Sequence, residues 1–346
     1  MEWREALLQA KRLFCLSHPR PDGDAVGALL GIYHTLRAQG KEVLAVLPDP
    51  VPQYLRFLPG WEAIAVWSEE AKETLTAAAL QADLFICVDF GKWDRIDEAL
   101  QALIDPARLI WVDHHADSLP LAAQWNFWEP AAAATCELLY ETILEPFRPL
   151  AMPARLALYT GLITDTGGFR FRSVTPRTLQ VAAELIQPPF PLEAVHHYIF
   201  QRKKLSTLHL QAHLIQNYLQ KLDDLPVLLL PIPARELERF GADWEEVETL
   251  PNQILALEGV LLAVVLKEYP EATRISLRSV GDFPCHEVAQ HFDKGGGHRN
   301  AAGATLYRSL EESLNFTKQL LQEVYASRLL ADYRAFLERL ALHQLQ

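Results

Sequence analysis

No apolar run in this 346-residue sequence approaches the roughly 20 residues that a helix needs to cross a bilayer, so no membrane partner is expected. Cysteine is scarce. Cys15, Cys87, Cys136 and Cys285 are far apart, show no paired metal spacing and lie mostly in apolar runs, so they read as reduced, buried thiols. The opening MEWREALLQAKRLFCLSHPR mixes Glu2 and Glu5 with Arg4 and Lys11 and has the pattern of neither a signal nor a transit peptide. A cytoplasmic protein is the expectation. Positive charge is also short: Lys and Arg number 32 against 44 Asp and Glu, a net charge of -12. Without a broad basic surface, long strands and long duplex DNA are poor partners, and any nucleotide substrate must be small and held locally.

What the chain does have is core. Half of its residues are apolar, 22% are charged and mean hydropathy is zero, a balance far from disorder. Its length exceeds what one core usually serves, which predicts two domains.

The first half alternates short apolar runs with helical patterns, as a doubly wound, mainly parallel α/β sheet does. Strands are predicted at Arg12–Ser17, Glu42–Leu47, Leu84–Val88 and Leu109–Val112, and a helix over Asp24–Gln39 that Gly40 ends. Ala131 to about Ile186 reads as mainly helical. PPFP at 188–191 breaks that run, and QRKK at 201–204 opens a polar helix to about Leu222. A smaller α/β domain follows, with LPVLLLPIP, strands near Val260–Leu266 and Arg274–Arg278, a glycine run at Gly295–Gly297 and a helical tail from Ser309.

Three predicted strands of the first domain end on metal-type residues: His18, Asp22 and Asp24 after the first, Asp89 after the next, and Asp113, His114 and His115 after the last. In a parallel sheet these ends share one edge, where ligands bind. A single Asp after a strand is commonly a helix cap or turn residue. Four carboxylates, Asp22, Asp24, Asp89 and Asp165, gathered with His18 and His114 would repel one another unless cations were present, and two divalent ions would balance the charge. Mixed oxygen and imidazole donors suit manganese or a similar first-row ion. An EF-hand fails on Asp22-Gly-Asp24, because Val26 and Tyr33 occupy positions where ligands are needed.

HPRPDGDAVG, the strand-end Asp89, the Asp113-His114-His115 triplet and GLITDTGGF with Asp165 resemble, in order and spacing, the four motifs of the DHH phosphoesterase superfamily. GGGHRNAAG, Gly295–Gly303, resembles the glycine-rich motif of its DHH-associated C-terminal domain. The resemblance implies a metal-binding domain at 1–188, a helical connector at 189–223, a substrate-binding domain at 224–328 and a tail at 329–346, with the active site in the interdomain cleft. It implies two divalent ions, manganese first. His18, Asp22 and Asp89 would hold one, and Asp24, Asp89, His114 and Asp165 the other, so that Asp89 bridges. Asp113 and His115 would serve catalysis, with His115 beside the scissile phosphate. Arg278, Gly295, Gly296, Gly297, His298 and Arg299 would hold the substrate. Ala28 stands where relatives often have Ser, and Lys294 replaces the first of what is frequently four glycines; neither is a ligand position.

The nearest branch by motif set and length is that of the bifunctional oligoribonuclease (nano-RNase) and 3'-phosphoadenosine 5'-phosphate phosphatase, implying hydrolysis of short RNA or small phosphorylated nucleotides. Alternatives are a hydrolase of linear dinucleotides, a RecJ-type single-strand exonuclease and, from another class, a non-catalytic nucleotide sensor. A homodimer is compatible with any of these. His209 and His213, four apart on the polar helix, lack a third ligand and read as surface residues. Adjacent His114 and His115 are expected to point to opposite sides of an extended backbone and so to differ in task.

Overall fold

The computed structural model describes residues 2–91, 96–115, 122–202 and 204–342. The chain divides into two compact units, Met1–Arg202 and Lys203–Gln346. Among the described residues no helix is long and apolar enough to cross a membrane.

The first unit is built on six parallel strands: β1 (Arg12–Leu16), β2 (Glu42–Leu47), β3 (Ile64–Val66), β4 (Leu84–Val88), β5 (Leu109–Asp113) and β6 (Trp125–Trp128). They lie in the order β3-β2-β1-β4-β5-β6. Every residue of β4 and β5 is buried, as continuous apolar runs covered on both faces require. The order reverses between β1 and β4, which opens a crevice at their carboxyl ends. Leu16 pairs with Cys87 and Val88 with Val112, so the residues that follow β1, β4 and β5 leave the sheet side by side. β3 and β6 escape the sequence reading because β3 has three residues and β6, WNFW, alternates half-buried and exposed positions.

The helix Gly23–Ala38 begins at an Asp22 N-cap and is followed by Gly40 in the left-handed region at φ +77°, close to the expected bounds. It packs against the helix Met152–Asp165 with backbones in near contact. A Cβ on Gly27 would lie 2.5 Å from the Ala157 carbonyl oxygen, so only glycine permits this approach. That contact brings Asp24 and Asp165, at opposite ends of the sequence motif set, to the same edge.

The second unit holds a mixed six-stranded sheet: β7 (Gln220–Lys221), β8 (Val227–Ile232), β9 (Leu262–Tyr269), β10 (Ala272–Ser279), β11 (Lys294–His298) and β12 (Ala301–Leu306), ordered β11-β12-β10-β9-β8-β7. Only β8 and β9 run parallel among these pairs. The helix Leu205–Tyr218, expected within a connector, buries Leu210 and Leu214 against Leu230, Ile232 and Leu237 of this unit. The tail begins with a capping box between Ser309 and Glu312, and Leu320, Leu321 and Leu329 anchor it in the core.

Candidate metal centre

β1 is locked to β4 by the buried Ser17 hydroxyl, which donates to the Val88 carbonyl at 2.8 Å. Just beyond, His18 Nε2 lies 3.4 Å from Asp89 Oδ2 and 4.0 Å from Asp22 Oδ1. Its Nδ1 is 2.9 Å from the Pro19 carbonyl, and a hydrogen donated there leaves the Nε2 lone pair facing the carboxylates. Asp22 is exposed and caps its helix, accepting from the amides of Asp24 and Ala25 at 3.0 and 3.1 Å.

Asp24 is buried at the other side of the same turn. Its Oδ2 accepts the Thr135 amide at 2.6 Å and its Oδ1 the Cys136 amide at 2.9 Å, so it also caps the helix Thr135–Glu141. A carboxylate at a helix start is a favourable placement. Asp89 occupies the left-handed region at φ +62°, a conformation costly for a non-glycine residue and found where a site fixes it. Its amide donates to the Val112 carbonyl at 3.0 Å and its Oδ1 accepts the Thr135 hydroxyl at 3.0 Å.

His114 is buried. Its Nε2 lies 3.3 Å from Asp165 Oδ2, 3.8 Å from Asp89 Oδ1 and 3.9 Å from Asp24 Oδ2, while Nδ1 is 3.2 Å from the Ala132 carbonyl. Among the described residues three groups could hold a metal ion: His18, Asp22 and Asp89; Asp24, His114 and Asp165; and Asp89, His114 and His115. All six residues expected as metal ligands are thus brought together, and Asp89 faces both sides of the cluster through different oxygens.

The residues fit divalent cations. Burial pushes the Asp89 carboxyl well above the usual range, and Asp24, Asp22, Asp165 and Asp113 push it further. Asp165 is raised likewise by burial first, then by Asp24 and Asp22. A bound cation offsets both the burial and the mutual repulsion of carboxylates so arranged.

The two adjacent histidines do not point to opposite sides. Their ring centroids are 4.9 Å apart with a 59° tilt, because both follow the end of β5, where strand alternation no longer applies. His115 Nδ1 bonds Asp113 Oδ1 at 2.8 Å and lies 3.6 Å from Asp89 Oδ1. The fully buried Asp113 therefore holds the His115 ring, and Trp128 Nε1 donates to the His115 carbonyl at 2.9 Å. Thr135, the Ala132 carbonyl and Trp128 were not singled out in the sequence. The small-residue run AAAAT at 131–135, just before a helix, is the one signal that marks a tight backbone approach there.

Close packing behind the cluster makes it sensitive to a single methyl. A Cβ on Gly161 would lie 2.3 Å from Cys136 Sγ and 2.9 Å from Asp24 Oδ1. Gly161→Ala should cost about 1–3 kcal/mol of stability and weaken metal binding by displacing Asp24. Thermal unfolding and calorimetric metal titration check both effects; unchanged metal affinity would show that Asp24 is not placed by this contact.

In the second unit the glycine run forms the edge strand β11, paired with β12 from Lys294↔Thr305 to His298↔Ala301. Gly295 is required sterically, since a Cβ would sit 1.8 Å from the Ala289 carbonyl oxygen, and Gly297 has φ +132°. Arg299 donates through Nε and Nη2 to the Asp282 carbonyl at 3.1 and 2.9 Å. Arg278, half-buried on β10, donates to the Leu277 carbonyl at 2.9 Å. The His298 side chain lies outside the described residues. His213, read as a surface residue, pairs with the buried Glu236 at 3.0 Å.

The DHH family, N-terminal domain, matches residues 12–162, and the DHHA1 domain matches residues 225–326. The chain is 31% identical over 298 residues to the bifunctional oligoribonuclease and PAP phosphatase NrnA of Thermus thermophilus, covering 85% of this chain and 84% of that one. Against the Bacillus subtilis protein of the same name it is 30% identical, covering 84% and 88%. The crystal structure of an exopolyphosphatase-related protein from Bacteroides fragilis superposes with a TM-score of 0.87 at 29% identity, over 94% of this chain and 95% of that one. With its candidate ligands gathered at the carboxyl ends of β1, β4 and β5 and both domain matches in sequence order, the chain belongs to the DHH family, its first unit carrying the family's N-terminal domain and its second a DHHA1 domain.

Proposed function

We propose that this protein is a two-metal phosphoesterase that hydrolyses short oligoribonucleotides to nucleoside monophosphates and also acts on 3'-phosphoadenosine 5'-phosphate. The observation that carries this reading is Asp89, which offers Oδ2 toward His18 and Oδ1 toward His114, as a carboxylate shared by two cations would. The names of the Thermus thermophilus and Bacillus subtilis relatives supply the substrate class.

His18, Asp22 and Asp89 would hold one ion, and Asp24, Asp89, His114 and Asp165 the other, with manganese favoured by the mixed oxygen and imidazole donors. When bound, paired divalent ions acidify water and offset the charge that develops on phosphate. The remaining work falls to side chains. Asp113 accepts from His115 Nδ1 at 2.8 Å, which fixes the ring. His115 then donates a hydrogen bond to the phosphate. On the second unit, Arg278 makes no ion pair among the described residues, and its half-buried guanidinium is suited to a substrate anion. Gly295–Gly297, His298 and Arg299 complete the substrate contacts. A cytoplasmic location accords with four buried, unpaired cysteines.

Di- to pentanucleotides should be hydrolysed with higher kcat/KM than long RNA at physiological salt, since the charge of -12 disfavours an extended polyanion. Arg278→Ala should raise KM about 10- to 100-fold, the equivalent of the roughly 1.5–3 kcal/mol of a charge-assisted hydrogen bond, with kcat affected less. Steady-state kinetics with manganese on RNA of graded length, 3'-phosphoadenosine 5'-phosphate and linear di-adenylate tests both. Equal kcat/KM on a pentamer and a long RNA, or an Arg278→Ala protein that loses its metal, contradicts the reading.

A further inference from the structure

The helix that ends on Asp165 is followed by three successive residues in the left-handed region: Gly167 at φ +58°, Gly168 at +71° and Phe169 at +64°. Glycine adopts this conformation freely; Phe169 does so only under constraint. The turn sends the Phe169 ring inward, against the core and within 6.2 Å of the Tyr159 ring, and sends Phe171 outward. Phe171 is 42% exposed, yet its ring is not loose: it lies over Gly167, where a Cβ would come within 2.5 Å of Phe171 Cζ. Gly168 faces a second ring, Phe200, which a Cβ there would meet at 3.5 Å. Phe200 is 38% exposed. Two aromatic rings therefore rest on the backbone immediately after a metal ligand, each with substantial area left to solvent.

The residues on either side of Phe171, Arg170 and Arg172, are both exposed arginines in a protein of net charge -12, whereas Arg177 is ion-paired with Glu141. Arg202 stands 5.0 Å over the Tyr198 ring, which in turn stacks on Phe57 at 4.8 Å and 11°. Exposed aromatic faces held rigid beside guanidinium groups are what single-stranded nucleic acid binds: bases stack on the rings and phosphates pair with the cations.

We propose that Phe171 and Phe200 form a shelf on which a base of the oligonucleotide stacks once a phosphodiester lies at the metal centre, with Arg170 and Arg202 serving the adjoining backbone. The inference rests on the phosphodiesterase reading above and deepens it. The shelf gives an acidic protein local affinity for short strands, because its rings rest on Gly167 and Gly168, directly after the helix that ends on Asp165.

The test uses full-length protein carrying His115→Ala, so that ligand survives, with and without Phe171→Ala. Labelled tetra-adenylate and the same tetramer with abasic sugars are titrated by fluorescence anisotropy in manganese. Phe171→Ala should raise Kd for tetra-adenylate about tenfold and leave the abasic ligand bound alike by both proteins. Phe200→Ala should act in the same direction, and Phe171→Tyr, which keeps a ring, should restore most of the affinity. Equal tetra-adenylate affinity with and without Phe171 overturns the shelf. So does an equal loss on the abasic ligand, which would make Phe171 a prop for Asp165. A change of oligomeric state on gel filtration without change in Kd would assign the face to a second copy of the chain instead. Wild-type hydrolysis of tetra-adenylate is measured first. Its absence defeats the phosphodiesterase reading and the shelf with it, whereas hydrolysis with base-indifferent binding defeats the shelf alone.

Discussion

Asp89→Ala should lower kcat/KM by more than about 10³-fold, beyond what removal of one stabilising donor costs, because a single change removes charge from both cation positions. The side chain lies within 4 Å of all three histidines of the cluster: Oδ2 lies 3.4 Å from His18, and Oδ1 lies 3.8 Å from His114, 3.6 Å from His115 and 3.0 Å from the Thr135 hydroxyl. The fold should survive. Its carboxyl is pushed well above the ordinary range chiefly by burial, so the folded chain gains little from its ionised form without cations. Circular dichroism should therefore show a folded protein, and elemental analysis after dialysis should show depleted metal. An Asp89→Ala protein that is folded, free of metal and still turns over substrate at the wild-type rate would end the two-cation account.

His115→Ala should lower kcat by on the order of 10² to 10⁴ while KM changes little, the pattern of a hydrogen bond made mainly at the transition state. His114→Ala should act on metal instead, since His114 Nε2 faces Asp165, Asp89 and Asp24 at 3.3 to 3.9 Å while its Nδ1 is tied to the Ala132 carbonyl. High manganese should partly restore His114→Ala and leave His115→Ala unchanged. The neighbouring carboxylates sharpen the comparison. Asp113→Asn should reproduce part of the His115 defect with metal content intact, because Asp113 bonds His115 Nδ1 at 2.8 Å and belongs to none of the three ligating groups. Metal content and single-turnover rate of the three variants, measured side by side, decide the matter. If His115→Ala lost manganese and His114→Ala kept it, the two roles would exchange, a result that the 3.6 Å separation of His115 Nδ1 from Asp89 Oδ1 would explain.

Asp165 ends a helix, but the other candidate ligands were legible in the sequence because each lies just after a continuous apolar run, and burial on both faces makes such runs strands with little ambiguity. A parallel sheet then delivers their ends to one edge without further information. Helix bounds near Asp22 and Gly40 were legible for a similar reason: capping chemistry is local. What was not legible depends on contacts between distant residues or on backbone that obeys no period. Thr135 meets Asp24 across 111 positions and Asp89 across 46, so nothing near Thr135 announces a role. The left-handed turn at Asp89 carries no glycine to mark it. Alternation misplaced His114 and His115 because it was extended past the last residue of β5. The glycine run of the second unit was read for its substrate contacts alone, yet it forms the edge strand β11, with the Ala289 carbonyl packed where a Cβ of Gly295 would be.

The central claim is that two cations share Asp89. Manganese-soaked crystals measured at the manganese absorption edge test it directly. Two anomalous peaks should appear, one among His18, Asp22 and Asp89 and the other among Asp24, His114, Asp165 and Asp89. A single peak, or two that do not both contact Asp89, would contradict it.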